Sequence, residues 1–222
     1  MLVASCILLW LHPYTNGYCV WLDHKTFEVL NSSLLYSHKW QLFWGYLNHP
    51  NENWLNIIVM AGINILGIYS LSSKERTEAF AKVAFFWIFF QLILLFTHKV
   101  FNGLLDIQRV SPSLVITPWV VLSESLNISG LKVSSNCCFP SGHVLVAIFW
   151  ARFTMLFSKK WLQPFVVTIA IMLILPRLFS GAHWLSDAVF TICYGLLWFK
   201  IAALCLEQII IFKSKKKLIG EA

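Results

Sequence analysis

Long apolar runs separated by short polar stretches organise this chain. Residues 54–71, 79–97, 144–157, 165–179 and 188–212 form five strong runs, and a weaker one at 2–11 makes six. An α-helix needs roughly 20 apolar residues to cross a hydrocarbon layer of about 30 Å. The pattern therefore predicts an all-α fold, a polytopic membrane helix bundle with about six transmembrane helices. The run at 2–11 is short for that thickness, and tilt or continuation through residues 13–18 would accommodate it. Met1 leads directly into apolar residues without a basic n-region, which favours a membrane helix over a cleaved signal peptide. Residues 23–44 read differently: Phe27, Leu30, Leu34 and Leu35 recur at helical offsets beside polar positions, as in one or two interfacial helices. No internal repeat or low-complexity stretch divides the chain, so a single integral-membrane domain over 1–222 is expected.

Composition sharpens that picture. The 222 residues are 58% hydrophobic and 12% charged, which leaves no room for a separate soluble domain once the spans are placed. The net charge of +7 does not point to a nucleic-acid partner, because basic residues in so apolar a chain first mark cytoplasmic loops. Lys74, Arg76 and Lys82 follow the second span, Lys159 and Lys160 the fourth, and Lys213, Lys215, Lys216 and Lys217 the sixth. The positive-inside rule puts these clusters and both termini in the cytoplasm, and gathers 15–53, 98–143 and 176–187 on the opposite face. Six cysteines, Cys6, Cys19, Cys137, Cys138, Cys193 and Cys205, form no CxxC pair and no metal-ligand spacing with histidine. The neighbours Cys137 and Cys138 could join only with backbone strain. Ordinary thiols and no structural zinc site are expected.

Two outer segments, 99–143 and 176–187, carry the candidate chemistry: Arg109, Ser141, Gly142, His143, Arg177, His183 and Asp187. A lone arginine near a helix end is usually a snorkelling anchor, and a lone histidine a satisfied interfacial residue. Their joint pattern argues otherwise. Pro140-Ser141-Gly142-His143 stands where the fourth run begins, so a hydroxyl, a free amide and a helix N-terminus can converge on one anion. His143 in the first turn is placed to protonate a leaving group as a general acid. His183 and Asp187, at i and i+4, read as a dyad on one helix face, with the carboxylate orienting a nucleophilic imidazole. Arg177 and Arg109 supply planar forks for phosphate oxygens, and Gly181 permits close backbone approach. The remaining outer acids, Asp23, Glu28, Glu52, Asp106 and Glu124, are scattered, so no magnesium cage, no other metal and no cofactor is expected. The mechanism that remains is attack by His183 on phosphorus.

These residues resemble the type 2 phosphatidic acid phosphatase and vanadium haloperoxidase superfamily, whose signatures are KxxxxxxRP, PSGH and SRxxxxxHxxxD. Residues 140–143 complete the second. Arg177, His183 and Asp187 keep the spacing of the third, with Pro176 in place of serine. In the first, Arg109 is followed by Val110-Ser111-Pro112, and Asn102 occupies the lysine position; Lys99, about one turn earlier, is the candidate substitute for phosphate binding. Arg109-Val110-Ser111-Pro112-Ser113-Leu114, Leu122-Ser123-Glu124, Phe139-Pro140, Pro176-Arg177 and Gly181-Ala182-His183-Trp184 look like the bacterial lipid A 1-diphosphate synthase branch, over roughly 11–199. That resemblance implies a phosphotransferase of the bacterial inner membrane with its active site facing the periplasm. Its partners would be membrane lipids, a lipid pyrophosphate donor such as undecaprenyl pyrophosphate, and lipid A as acceptor at its 1-phosphate, through a phosphohistidine at His183. Ser141 and Gly142 follow the general superfamily pattern, which keeps a plain lipid phosphatase with water as acceptor open; a non-catalytic lipid-binding protein is the reading from another class.

Overall fold

The computed structural model describes Val3, Ser5, residues 12–49 and residues 52–220, so most of the expected span at 2–11 lies outside the described residues. Each helix begins where local chemistry favours it. Helix α1, Pro13–Ser32, starts with proline at its first position, where the missing N–H costs nothing. A 3₁₀ turn, Ser33–Tyr36, leads to α2, His38–Tyr46, capped by the Ser37 hydroxyl accepting from the Trp40 amide at 3.2 Å. Helix α3 is Glu52–Tyr69. A capping box of Ser72 and Glu75 opens α4, Ser73–Thr97, which runs on as a π-helical stretch, His98–Leu104. After two single helical turns, Pro112–Val115 and Leu122–Ser125, come α5, Gly142–Phe157, α6, Gln163–Phe179, and α7, Leu185–Gly220. Among the described residues there is no strand.

Among the described residues, three stretches are long and apolar enough to cross a membrane: Ser73–Leu104, Lys160–Phe179 and Leu185–Phe212. Trp54–Tyr69 and Gly142–Phe157 are apolar but shorter. The expected count of six is thus met only in part. Helix α5 is short because both ends are fixed by turns, at Ser141 and at Ser158, and its 16 residues rise only about 24 Å.

Helix α5 is the centre of the bundle, packed mainly on α6 and α7 and also touching α3 and α4. Leu145, Ala147, Phe149, Trp150 and Phe153 are all buried, and Phe86 of α4 stacks between Phe153 and Phe199 at 5.8 and 5.5 Å. Two polar bonds tie helices together inside this apolar volume, Thr154 to Asn64 at 2.8 Å and Thr97 with Tyr194 at 3.0 Å. Ile58, Ile88, Leu92, Phe165, Leu204 and Phe212 point outward, the side-chain distribution expected where lipid is the solvent.

The stretch expected to be interfacial is more integrated than its pattern suggested. Helix α1 packs on α6 and α7, Phe27 is buried, and the Asn31 amide donates to the carbonyls of Val120 and Phe179 while accepting the Val120 N–H. Leu34 is fully buried but Leu35 is exposed. The 3₁₀ turn, with three residues per turn, breaks the α-register that had put both on one face.

Candidate active site

The three outer segments meet at one end of the bundle. Asp23 of α1, Arg109 of the second segment and Ser186 and Asp187 at the start of α7 form one network. The Arg109 guanidinium donates to Asp187, to Ser186 Oγ at 2.8 Å and to Asp23 at 2.7 Å. Asp23 also accepts the Ser186 amide at 2.8 Å and the Ser186 hydroxyl at 2.5 Å. Helix physics explains the arrangement. Trp184 is the residue before α7, so the Trp184 and Ser186 amides are among the donors that a helix start leaves unsatisfied; Asp187 takes the first at 3.0 Å and Asp23 the second. Two carboxylates at a positive helix end are each favourably placed, and Arg109 offsets their mutual repulsion. The Trp184 indole locks this corner, donating to the Val110 carbonyl at 2.8 Å and lying under the Arg109 guanidinium at 5.4 Å.

His183 and Asp187 come together, but not as two residues on one helix face. The helix begins at Leu185, so His183 lies in the preceding turn. Its Nδ1 is 3.9 Å from Asp187 Oδ2, beyond hydrogen-bond length, because that oxygen already accepts from the Trp184 amide and from Cys138 Sγ at 3.1 Å. His183 Nδ1 is buried without a hydrogen-bond partner. Burial, followed by the Asp187 charge, pushes the Cys138 thiol well above its ordinary range, so it stays protonated as the donor.

His143 and Arg177 face each other, with Arg177 Nη2 2.9 Å from His143 Nε2. A guanidinium has no acceptor, so in this state Nε2 holds the lone pair and the ring proton sits on Nδ1. Arg177, itself buried, also donates to the Asn48 side-chain oxygen, and Asn48 is anchored to the Lys132 carbonyl at 2.7 Å. Lys132 is within electrostatic reach of His143, as is His183. The turn between Arg177 and His183 is closed by the Ala182 and His183 amides donating to the Arg177 carbonyl. Gly181 makes this turn with φ of 76°; a side chain there would also meet Phe27 of α1 at 2.6 Å.

At the cradle, the Ser141 amide donates to Thr191 Oγ1 at 3.1 Å, while the Ser141 hydroxyl is buried without a partner. Pro140, Ser141 and Gly142 wall a cavity of about 390 Å³ whose other side is Gln91, Leu94, Leu95, Thr97, His98 and Asn102. Lys99 is exposed and does not line this cavity. The π-helical stretch has more than four residues per turn, so His98 and Asn102 share the cavity face and Lys99 is rotated off it. Arg109 does not line it either; it borders a separate hollow of about 310 Å³ with Asp23, His24, Gln108 and Trp184.

Residues 41–210 match the PAP2 superfamily. The chain belongs to that family. PAP2 proteins are phosphatases and phosphotransferases, and this chain is an enzyme of that kind. It is 23% identical over 215 residues to the lipid A 1-diphosphate synthase of Escherichia coli (strain K12), covering 95% of this chain and 88% of that protein. No solved structure matches. Within this PAP2 chain, Asp23, Asn48, Cys138, Ser186 and Thr191 are the site neighbours that the motifs did not mark. Asp23 had a signal: it lies four residues before Phe27, on the apolar stripe of α1, where a carboxylate needs a partner.

Proposed function

We propose that the chain transfers the terminal phosphate of a lipid pyrophosphate through a phosphohistidine at His183, taking it from undecaprenyl pyrophosphate and placing it on the 1-phosphate of lipid A. The observation that carries this reading is the setting of the orphaned Ser141 hydroxyl. It lies at the wall of a cavity lined by Leu94, Leu95 and Leu145, directly before the Gly142 amide and two residues before His143, which pairs with Arg177. Such a cavity suits an acyl or prenyl chain ending in an anion. The relative named for lipid A directs the choice of acceptor.

In this mechanism His183 Nε2 attacks phosphorus, while Asp187 stabilises the imidazolium once the 3.9 Å gap closes on the substrate complex. Arg177, the Gly142 amide and the Ser141 hydroxyl neutralise the equatorial oxygens. His143, released as Arg177 turns to the phosphate, takes a proton from solvent on Nε2 and passes it to the departing phosphate oxygen, returning to the neutral ring. Arg109 braces Asp187 from behind rather than holding the phosphate. The basic clusters at the far end of the bundle support an orientation in the bacterial inner membrane with this site on the periplasmic face.

A second reading keeps every step except the last and lets water take the phosphoryl group, giving undecaprenyl phosphate; the Ser141-Gly142 pair of the general family pattern favours it. Purified protein incubated with undecaprenyl pyrophosphate labelled in its terminal phosphate distinguishes the two. Label moving to added lipid A supports transfer, and release as inorganic phosphate irrespective of lipid A supports hydrolysis. Retention of the label on the donor with both acceptors present defeats the proposal.

A further inference from the structure

Beside the nucleophile lies a second chemical arrangement that phosphoryl transfer does not require. Cys138 Sγ, His183 Nδ1 and Asp187 Oδ2 all lie within 4.8 Å of one another, and all three residues are buried. Sγ is 3.1 Å and Nδ1 3.9 Å from the shared carboxylate oxygen. Nδ1 itself is buried without a hydrogen-bond partner and faces this group. A tetrahedral zinc ion, with bonds of about 2.0–2.3 Å, holds its ligand atoms about 3.3–3.7 Å apart. The two distances to the carboxylate bracket that range, so filling the site needs shifts of only a few tenths of an ångström there. The supporting backbone is fixed: the Cys138 amide donates to the Arg109 carbonyl at 2.8 Å, and Asp187 is held by the start of α7.

We propose that Cys138, His183 and Asp187 form a binding site for a thiophilic divalent cation of the zinc class, and that filling it silences the enzyme. Thiolate with imidazole selects Zn²⁺ and Cd²⁺ over Mg²⁺ and Ca²⁺. On binding, the Cys138 thiol loses its proton to solvent, the sulfur–metal bond replaces the thiol hydrogen bond to Asp187, and the Nδ1 lone pair of His183 goes to the metal. The neutral ring then carries its proton on Nε2, so no lone pair remains there to attack phosphorus. The metal therefore acts as a reversible lock on the wrong tautomer. The binding part stands on geometry alone, whereas the silencing part rests on His183 being the nucleophile proposed above.

The test uses Co²⁺ as a coloured stand-in on the purified, chelator-treated full-length protein. The expected result is one equivalent of Co²⁺ giving a thiolate-to-metal absorption band that Zn²⁺ bleaches. The band should be lost in Cys138→Ser and kept in Cys137→Ser, whose cysteine is the exposed neighbour. His183→Gln, which removes the second ligand, should weaken Co²⁺ binding at least tenfold and supplies an independent variant if Cys138→Ser does not fold. A wild-type protein without the band, or a band that follows Cys137, overturns the site and leaves the proposed reaction untouched. Turnover should fall with the same Zn²⁺ dependence as the bleaching and return with chelator. If the band forms but saturating Zn²⁺ leaves turnover intact, the silencing is wrong and so is the choice of His183.

Discussion

Two arginines serve the turn that carries His183, and they keep different company. Arg109 lies between the buried carboxylates of Asp23 and Asp187, 2.7 Å from the first. Arg177 holds the side-chain oxygen of Asn48 and the ring of His143. A guanidinium between two acids has its charge compensated, and its work is to keep those acids buried close together. One held by an amide and an imidazole is the arginine proposed above to meet the phosphate. On that proposal the same residue type, in the same family motif set, divides into a brace and a clamp.

The largest expected effect tests the clamp. Arg177→Lys keeps the charge and loses the fork, and should cost about 2–4 kcal/mol of transition-state stabilisation, roughly 30- to 1000-fold in kcat/KM. Its thermal unfolding in detergent should change less than that of Arg109→Lys. Equal rate losses in the two variants, with equal melting temperatures, would erase the distinction.

Next comes the brace. Asp23→Asn removes one of the two carboxylates beside Arg109 and should destabilise the fold by about 1–3 kcal/mol, read as a lowered melting temperature. Paired with Arg109→Lys in a double-mutant cycle, it should show coupling. Additive effects would mean that the Asp23–Arg109 contact carries no energy. Lys99→Ala sharpens the comparison from outside, because an exposed lysine off the cavity wall should leave the rate within about twofold of wild type. A loss matching Arg177→Lys would restore Lys99 as the missing motif lysine.

The smallest effect concerns pH. The folded protein holds Cys138 as a thiol, with its pKa raised by burial and by Asp187, whereas the unfolded chain ionises this group near its ordinary value of about 8.5. Stability from this group is therefore complete below about pH 8.5 and declines as pH rises toward the folded value. The melting temperature of Cys138→Ser should fall less steeply above pH 9 than that of the wild type. Parallel declines would show that Cys138 does not contribute.

Local patterns made the helices and the motif residues legible, since periodicity and cap chemistry act over a few positions. Spacing marks Arg177, His183 and Asp187 as candidates, and the Pro140–His143 turn marks Ser141. What spacing could not convey is which partner takes which atom. The i, i+4 relation of His183 and Asp187 suggested a helical dyad, yet the helix starts between them and the carboxylate caps it. Lys99 seemed one turn from Asn102 because α-periodicity was assumed, and the π-helical stretch changed the register. Cys138 showed no metal-ligand spacing because its companions are 45 and 49 residues away. Asp23 looked like one of several scattered acids until α1 folded back across the bundle.

That fold-back also sets an order of events during synthesis. Asp23 leaves the ribosome 86 residues before Arg109 and 163 residues before Ser186, its partners in the finished protein. At about 5–20 residues per second, the carboxylate waits roughly 10–30 s for the start of the last helix. Through that interval it lies on a half-apolar helix without the groups that later bury it, so water at the bilayer edge must solvate it. The turn that carries His183 is consequently among the last parts of the molecule to be completed. A chain halted before residue 183 holds every helix but the last and still lacks the proposed nucleophile.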